Sequence, residues 1–276
     1  LGFPRYHKPE VAIAYSFDSL IASHPPGGNS VNEYFSIPYR EQVDSALEPF
    51  FEDNIDAAII NVADDPLNYK LLVIPADYVM DEKSAGAIRD YVGKGGTVIM
   101  TAFSAKVDEH SQWFDTPLPG RLSDVFGIRT SQFYRSTLLP VISFGGKTVQ
   151  ASVGFYEVLE PSTAKTIAAF TNLREHWPAI TDNVYGKGHA VYVAVPAQGS
   201  ILKPLVEGLY KKLGIAIGPV TPPGVYARVA DGRTLYVNST EKQQTVPIVG
   251  DRQGLLTGRH YRALLHLGPY QVDLLQ

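Results

Sequence analysis

The chain has 276 residues, 45% of them hydrophobic and 19% charged, with a formal net charge of -4. These values are typical of a globular protein with a sizeable core, and the length accommodates a medium domain followed by a small one. The acidic balance and the lack of any Lys/Arg cluster argue against nucleic acid and anionic membranes as partners. No apolar run approaches the ~20 residues of a membrane span, and residues 1–10 lack the apolar core of a signal peptide, which favours a cytoplasmic location.

The sequence contains no cysteine, so disulfides, thiolate metal sites and cysteine nucleophiles are excluded. No two histidines stand in a zinc-binding pattern, and we expect neither a metal nor a cofactor. Residue 1 is Leu rather than Met. We therefore expect a piece of a longer protein, with residues 1–8 as a linker.

The first hundred residues alternate between apolar runs and amphipathic segments. Strands are predicted at residues 11–16, 56–61, 71–75 and 97–103; one helix is predicted from about Val31 or Tyr39 to Asp53, after a Pro/Gly stretch at 24–30, and another from the Asp81 cap to the Gly95-Gly96 stop. Continuous apolar strands separated by helices indicate a parallel sheet covered on both faces. This succession predicts the first half of an open, doubly wound α/β sheet of the flavodoxin-like kind.

Strand signals become shorter in the second half of the chain. Strands are predicted at residues 138–144, 148–152, 166–171, 179–182 and 189–195, followed by a helix at 201–213. Three prolines at 219, 222 and 223 then mark a domain boundary. Five further short strands, at 225–229, 234–238, 245–249, 262–267 and 271–275, predict a small antiparallel β domain. The expected domains are residues 9–219 and 220–276.

Acidic residues follow three of the predicted parallel strands. They are Asp18 after the first strand, Asp77 after the third, and Asp108, Glu109 and His110 after the fourth. Ligands of open α/β sheets bind beyond the carboxyl ends of the strands, so these side chains could form a hydrolytic or metal site. Helix capping and solvent exposure are the more ordinary roles for such residues, and both interpretations stay open.

The turn after the fourth strand reads MTAFSAK at residues 100–106 and lacks the flanking glycines of a nucleophile elbow. Ser104 is therefore expected to be an ordinary polar residue without a histidine base. Trp113, farther along the same loop, could line a sugar or a partner surface, or pack over the sheet.

Several segments together resemble the trimerisation domain of family 42 glycoside hydrolases, the β-galactosidase type. They are YKLLVIP at 69–75, SAKVDE at 104–109, PGRL at 119–122, NVYGKG at 183–188 and PPGV at 222–225, and the resemblance continues into the C-terminal β domain. It implies a flavodoxin-like or class I glutamine amidotransferase-like fold that assembles a homotrimer and follows a catalytic (β/α)8 barrel. The glutamates of catalysis would lie on that missing barrel, so no catalytic residue is carried over. The chain differs from the family in having Leu20-Ile21 where paired tryptophans are frequent, and Ala105 where glycine is common.

Three hypotheses follow. The first is a non-catalytic assembly region whose loops after the first and fourth strands flank a neighbouring subunit's active site, with further copies of the chain, the barrel and a galactoside or related glycan as partners. The second is a stand-alone hydrolase that uses Asp18, Asp77, Asp108 and Glu109, which must then converge. The third is a sugar-binding module that uses Trp113 and Tyr185.

Overall fold

The computed structural model describes residues 8–23, 38–173 and 175–276. They form two compact units, one of Glu10–Leu47 with Ala57–Leu213 and the other of Glu48–Asp56 with Gly214–Gln276 and the first residues up to Pro9. The predicted linker up to residue 7, the Pro/Gly stretch at 24–30 and the alternative helix start at Val31 lie outside the described residues. The predicted limit between residues 219 and 220 remains a prediction.

A nine-stranded mixed sheet forms the centre of the larger unit. Its parallel strands are β1 (Val11–Ala14), β2 (Ala57–Ile60), β3 (Leu71–Ile74), β4 (Thr97–Thr101) and β11 (Gly188–Val193), and its antiparallel strands are β6 (Val141–Phe144), β7 (Lys147–Gln150), β9 (Lys165–Phe170) and β10 (Pro178–Tyr185). The strand order is β2-β1-β3-β4-β11-β10-β9-β6-β7. Every residue of β1, β3 and β4 is buried, which explains why these strands are continuous apolar runs.

Five α-helices are present in the described residues. They are α1 (Phe17–Ala22), α2 (Tyr39–Glu52), α3 (Glu82–Gly93), α4 (Ser123–Phe126) and α5 (Gly199–Leu213). The Asp81 side chain accepts a hydrogen bond from the Ser84 N–H and caps α3, as predicted. No helix in the described part of the chain is both long and apolar enough to cross a membrane.

Two features of the larger unit differ from the prediction. The sheet extends beyond the predicted parallel strands and is mixed, because four antiparallel strands continue it past β11. A separate ribbon of β5 (Ile128–Arg135) and β8 (Phe155–Pro161) was not predicted at all. Polar side chains fill most of β5, and β8 carries the charged Glu157 within its apolar run, so neither has a clear strand pattern.

The smaller unit is antiparallel, as predicted. A three-stranded sheet contains β12 (Val225–Ala230), β13 (Arg233–Asn238) and β16 (Val272–Leu275), and a two-stranded ribbon contains β14 (Gln244–Gln253) and β15 (His260–Leu267). Their shared core consists of Val225, Ala227, Tyr236, Val246, Tyr261, Leu265, Leu267 and Leu275. The buried Asp273 carboxylate accepts hydrogen bonds from the Thr257 and Tyr261 hydroxyls at 2.6 and 2.8 Å, which satisfies its charge within this small core.

Candidate functional site

The loops after β1, β3 and β4 meet at one edge of the sheet, as their parallel strands predict. The Ser19 hydroxyl donates a hydrogen bond to the buried Asp77 carboxylate and accepts one from the Val79 N–H at 3.0 Å. The Asp77 N–H in turn donates to the Ser104 hydroxyl at 3.0 Å. Ser19, Asp77 and Ser104 thus connect the three loops through buried hydrogen bonds. Asp18, one residue before Ser19, is exposed.

Asp77 lies in an environment that disfavours its charge. Burial raises the pKa of Asp77 to about 6, hydrogen bonds from Ser19 and Ser16 oppose the rise, and the negative charges of Asp81 and Asp18 add to it. The neighbouring Tyr39 hydroxyl accepts the Ser16 N–H at 2.8 Å, and burial together with the Asp77 charge raises the pKa of Tyr39. Asp77 is therefore a buried structural carboxyl group rather than a solvated ligand.

The turn after β4 has an unusual backbone. Phe103 and Ala105 have φ angles of 71° and 53°, in the left-handed region that favours glycine. Ser104 between them is fully buried, and its hydroxyl accepts from Asp77 N–H and lies 3.5 Å from the Ile74 carbonyl oxygen. The Ser104 hydroxyl has a structural role, and it has no histidine hydrogen-bond partner among the described residues. The glycine common at position 105 in the resembling family fits the φ angle found there.

Ala105→Gly should be nearly neutral for stability, in contrast to the usual cost of replacing a buried alanine. Losing the methyl group costs about 0.8 kcal/mol and the flexibility of glycine about 0.5–1 kcal/mol, while relief of the left-handed conformation returns about 1–2 kcal/mol. Ala102, equally buried but without a positive φ, is the matched control, and Ala102→Gly should lose about 1–2 kcal/mol. Urea unfolding of both variants measures the difference; equal losses would show that Ala105 is unstrained.

A buried ion pair lies behind this turn, and sequence reasoning missed it. Lys106 and Glu157 are both fully buried, with Lys106 Nζ 2.8 Å from Glu157 Oε1. Within the described chain Nζ meets no acceptor at hydrogen-bonding angles, so the attraction is mainly between charges. Oε1 also accepts the Phe103 N–H at 2.8 Å, and Oε2 accepts the Tyr192 hydroxyl at 2.7 Å. The only hint of this ion pair in the sequence is that Lys106 and Glu157 each interrupt a largely apolar segment, SAKV and FYEVL.

Aromatic rings cover the outer side of the turn. Tyr78 stacks on Phe103 with 5.0 Å between ring centroids, and Trp113 stacks on Phe133 with 6.3 Å. Phe133 also contacts Phe103 and the buried Phe155. Trp113 remains 48% exposed, so it both packs over the sheet edge and presents a free surface.

The loop that carries Trp113 is held by its own side chains. Asp108 Oδ1 accepts the backbone N–H groups of His110 and Gln112, both at 2.9 Å. The Gln112 N–H is the largest cause that keeps the pKa of Asp108 below its usual value, with smaller contributions from the His110 N–H and from the His110 and Arg121 charges. Glu109 pairs with Arg121 at 3.1 Å, and Arg121 also donates to the Met80 carbonyl oxygen. These acidic residues stabilise their own loop, and His110 is exposed beside them.

In the described residues, Asp18, Asp77, Asp108 and Glu109 do not form the single cluster that the hydrolase hypothesis requires, although Asp18 and Asp77 interact through their charges. Within residues 8–23, 38–173 and 175–276, no group of three His, Asp or Glu side chains could hold a metal ion. Asp77 is buried with Ser19, whereas Asp108 and Glu109 bond within the Trp113 loop. The described residues therefore give no support to a stand-alone hydrolase that uses these four carboxylates together.

Trp113 and Tyr185 cannot line one sugar site, so that pairing was wrong. Tyr185 is opposite Gly188 at the start of β11, and the adjacent His189 is opposite Thr97 at the start of β4. Trp113 forms a bridge with Val107, beyond the end of β4. The two aromatic residues thus lie at opposite edges of the sheet, and the Tyr185 hydroxyl instead accepts from Arg89 at 3.2 Å.

The larger unit is thus an α/β region in which polar residues at the carboxyl edge of the sheet hydrogen-bond to one another, and the smaller unit is an antiparallel β region. Residues 9–216 match the beta-galactosidase trimerisation domain family, and the chain belongs to this family. The resemblance to family 42 glycoside hydrolases is thereby confirmed.

Relatives and solved structures agree with this assignment. Beta-galactosidase Pbg of Clostridium perfringens is 25% identical over 285 residues, which cover 98% of this chain and 41% of the relative. Beta-galactosidase LacA of Lactobacillus acidophilus is 29% identical over 218 residues, covering 74% of this chain and 32% of the relative. The crystal structure of a beta-galactosidase from Rahnella sp. R3 superposes with a TM-score of 0.85 at 25% identity, covering 97% of this chain and 40% of that one. Gan42B, a GH42 beta-galactosidase from G. stearothermophilus, gives 0.86 at 24% identity, with coverage of 98% and 40%.

The chain spans about 40% of the length of the first of these relatives. The open nine-stranded sheet also shows that the described residues contain no barrel of eight parallel strands.

Proposed function

We propose that this chain is the non-catalytic assembly region of a β-galactosidase-like glycoside hydrolase and that it forms homotrimers. The match of residues 9–216 to the trimerisation domain family carries the proposal. Relatives more than twice as long leave room for a catalytic barrel elsewhere in the parent protein, which would act on a galactoside or related glycan. Residues 9–219 would serve assembly, and residues 220–276 would form the accompanying β domain.

We further propose a flavodoxin-like architecture, of the kind found in class I glutamine amidotransferases, for the first of these domains. The parallel order β2-β1-β3-β4-β11 supports it, since this is the 2-1-3-4-5 order of flavodoxin-like sheets. A fold of this kind that is retained for assembly needs no nucleophile at its elbow. The buried, hydrogen-bonded Ser104 is compatible with that role.

Helix α1 offers an apolar surface for self-association. Phe17 and Ile21 are four residues apart, so they share one face of α1, and they are 66% and 63% exposed. Large apolar side chains exposed together are typical of protein interfaces. The α1 and Trp113 loops would then face a second copy and flank its active site.

The isolated chain should have a molar mass of three times 30.2 kDa in light scattering. Ile21→Asp should raise the concentration of half-assembly by about tenfold or more. It removes an aliphatic side chain whose burial in the trimer would contribute about 1.5–3 kcal/mol, and it adds a charge to the interface. The matched control is Val184→Asp, at an equally exposed residue near the opposite sheet edge, which should leave the mass unchanged.

A strictly monomeric chain at high concentration would count against assembly by this region alone. If Ile21→Asp still forms trimers at the same concentration, the interface lies elsewhere than on α1, and the proposal of a homotrimer stands. Circular dichroism of each variant separates loss of assembly from loss of folding.

A further inference from the structure

The smaller unit contains a cavity of about 420 Å³ with a largely aliphatic wall. Val220, Pro247, Ile248 and Leu275 contribute to this wall. Val220 is 83% exposed and Leu275 only 4%, so the wall extends from the protein surface into the core of the unit. A cavity of this size and composition can take the apolar body of a small organic molecule.

Two polar residues of β13 also line this cavity. Thr234 and Tyr236 are two positions apart on the strand, so they lie on the same face of the sheet, and Leu275 of β16 is opposite Thr234. Tyr236 is only 6% exposed, yet its hydroxyl has no hydrogen-bond partner among the described residues. A hydroxyl group on so buried a side chain normally has a polar partner, and an atom of a ligand can supply it.

Arg252 gives the cavity a positive charge. Its Nε donates to the Val249 carbonyl oxygen at 3.1 Å, and its two terminal nitrogens have neither a hydrogen bond nor an ion pair within the described chain. The adjacent Asp251 carboxylate pairs with Arg262 instead, at 3.3 Å. Burial raises the pKa of Tyr236, and the Arg252 charge opposes that rise. The guanidinium therefore lies near enough to the Tyr236 hydroxyl for both to contact one anionic group.

From this arrangement we infer that the cavity binds a small organic acid with one carboxylate on an apolar body. The two oxygens of a carboxylate match the two terminal nitrogens of the Arg252 guanidinium in a bidentate pair. The Tyr236 hydroxyl can donate a further hydrogen bond to the same group, while the aliphatic wall covers the body. The inference does not rest on the proposed homotrimer, since none of these residues belongs to α1 or to the Trp113 loop.

A carboxylate fits this cavity better than a phosphate. Arg252 is the one Lys or Arg residue among the described residues that line it, so the second negative charge of a phosphate would have no cation beside it. A phosphate alone would also leave the aliphatic wall uncovered.

The test is a titration of the full chain with phenylacetate at neutral pH, followed by saturation-transfer NMR of the phenyl protons. Phenylacetamide is the matched neutral probe, and acetate has the charge without the apolar body. Phenylacetate should bind saturably with a Kd on the order of millimolar or below. Phenylacetamide and acetate should each bind at least about tenfold more weakly, because each lacks one half of the recognition.

Arg252→Gln should weaken phenylacetate binding by about tenfold or more and leave phenylacetamide binding unchanged, which separates a lost charge from a damaged fold. Tyr236→Phe, which keeps the ring, should weaken phenylacetate binding by about threefold or more. The matched control is Arg262→Gln, at an exposed arginine of the same ribbon that does not line the cavity, and it should bind as the parent does. Circular dichroism checks the fold of each variant.

The inference is overturned if phenylacetate binding does not saturate, if phenylacetamide or acetate binds equally well, or if Arg252→Gln binds normally. Equal losses in Arg252→Gln and Arg262→Gln would also overturn it, because general charge attraction would then explain the binding. It fails as well if phenylacetate binding weakens as the protein concentration rises, since another copy of the chain would then fill the cavity. Light scattering of the same samples measures assembly separately, so failure here leaves the proposed homotrimer unaffected.

Discussion

Glu157→Gln should lower the free energy of unfolding by about 3–5 kcal/mol, the largest effect expected from one substitution in this chain. The change keeps the shape of the side chain but removes its charge, leaving the fully buried Lys106 ammonium 2.8 Å from a neutral amide. The amide can still accept from the Tyr192 hydroxyl, so most of the loss should come from the uncompensated charge. Urea unfolding at neutral pH and fixed protein concentration measures it.

Glu160→Gln is the matched control, because Glu160 lies on the same strand, β8, and pairs with Arg129 at the surface. Exposed ion pairs contribute at most about 1 kcal/mol, so its loss should be several times smaller. Adding Lys106→Met to Glu157→Gln should restore much of the lost stability, since no charge then remains buried. A single variant as stable as the parent, or a double variant worse than the single one, would show that the pair is not the stabilising element.

The strands of the larger unit that the sequence predicted best are those whose burial is complete. β1, β3 and β4 are buried at every position, so their composition alone marks them. β8 was missed because Glu157 interrupts an apolar run, and its burial makes sense only beside Lys106, 51 positions earlier in the chain. A partner so distant in sequence cannot be found from local patterns.

The candidate site shows the same division between local and distant causes. The positions of Asp18, Asp77 and Asp108 after parallel strands were predictable from strand order. Their roles were not, because the environment of Asp77 depends on Ser19, which comes 58 residues earlier, and on Tyr39. Asp108 differs because its partners, His110 and Gln112, are local, and a turn-forming role was open to sequence reasoning.

Asp77→Asn should remove a loss of stability that the parent protein suffers as the pH rises. Burial raises the pKa of Asp77 to about 6 in the folded state, above the ~3.9 of an unfolded chain, so the folded state binds this proton more tightly. The stabilisation that comes from this tighter proton binding is fully present below about pH 4 and is lost as the pH rises through about 6. The difference of about two pKa units corresponds to about 3 kcal/mol.

Urea unfolding measures the free energy of unfolding of parent and variant at several pH values between 4 and 7. The difference between the two proteins isolates Asp77, because all other titrating groups are the same in both. The parent should lose about 3 kcal/mol relative to Asp77→Asn across this range, and parallel stability curves would contradict the buried carboxyl group. Ser19→Ala is a second variant, which keeps the Asp77 carboxyl group but removes its hydrogen bond from Ser19. The Ser19 hydrogen bond lowers the pKa of Asp77, so losing it should raise that pKa further. The loss of stability should then extend to higher pH in Ser19→Ala than in the parent. Such a shift would tie the titration to the contact that joins α1 to the loop after β3, and through it to the stability of the proposed assembly surface.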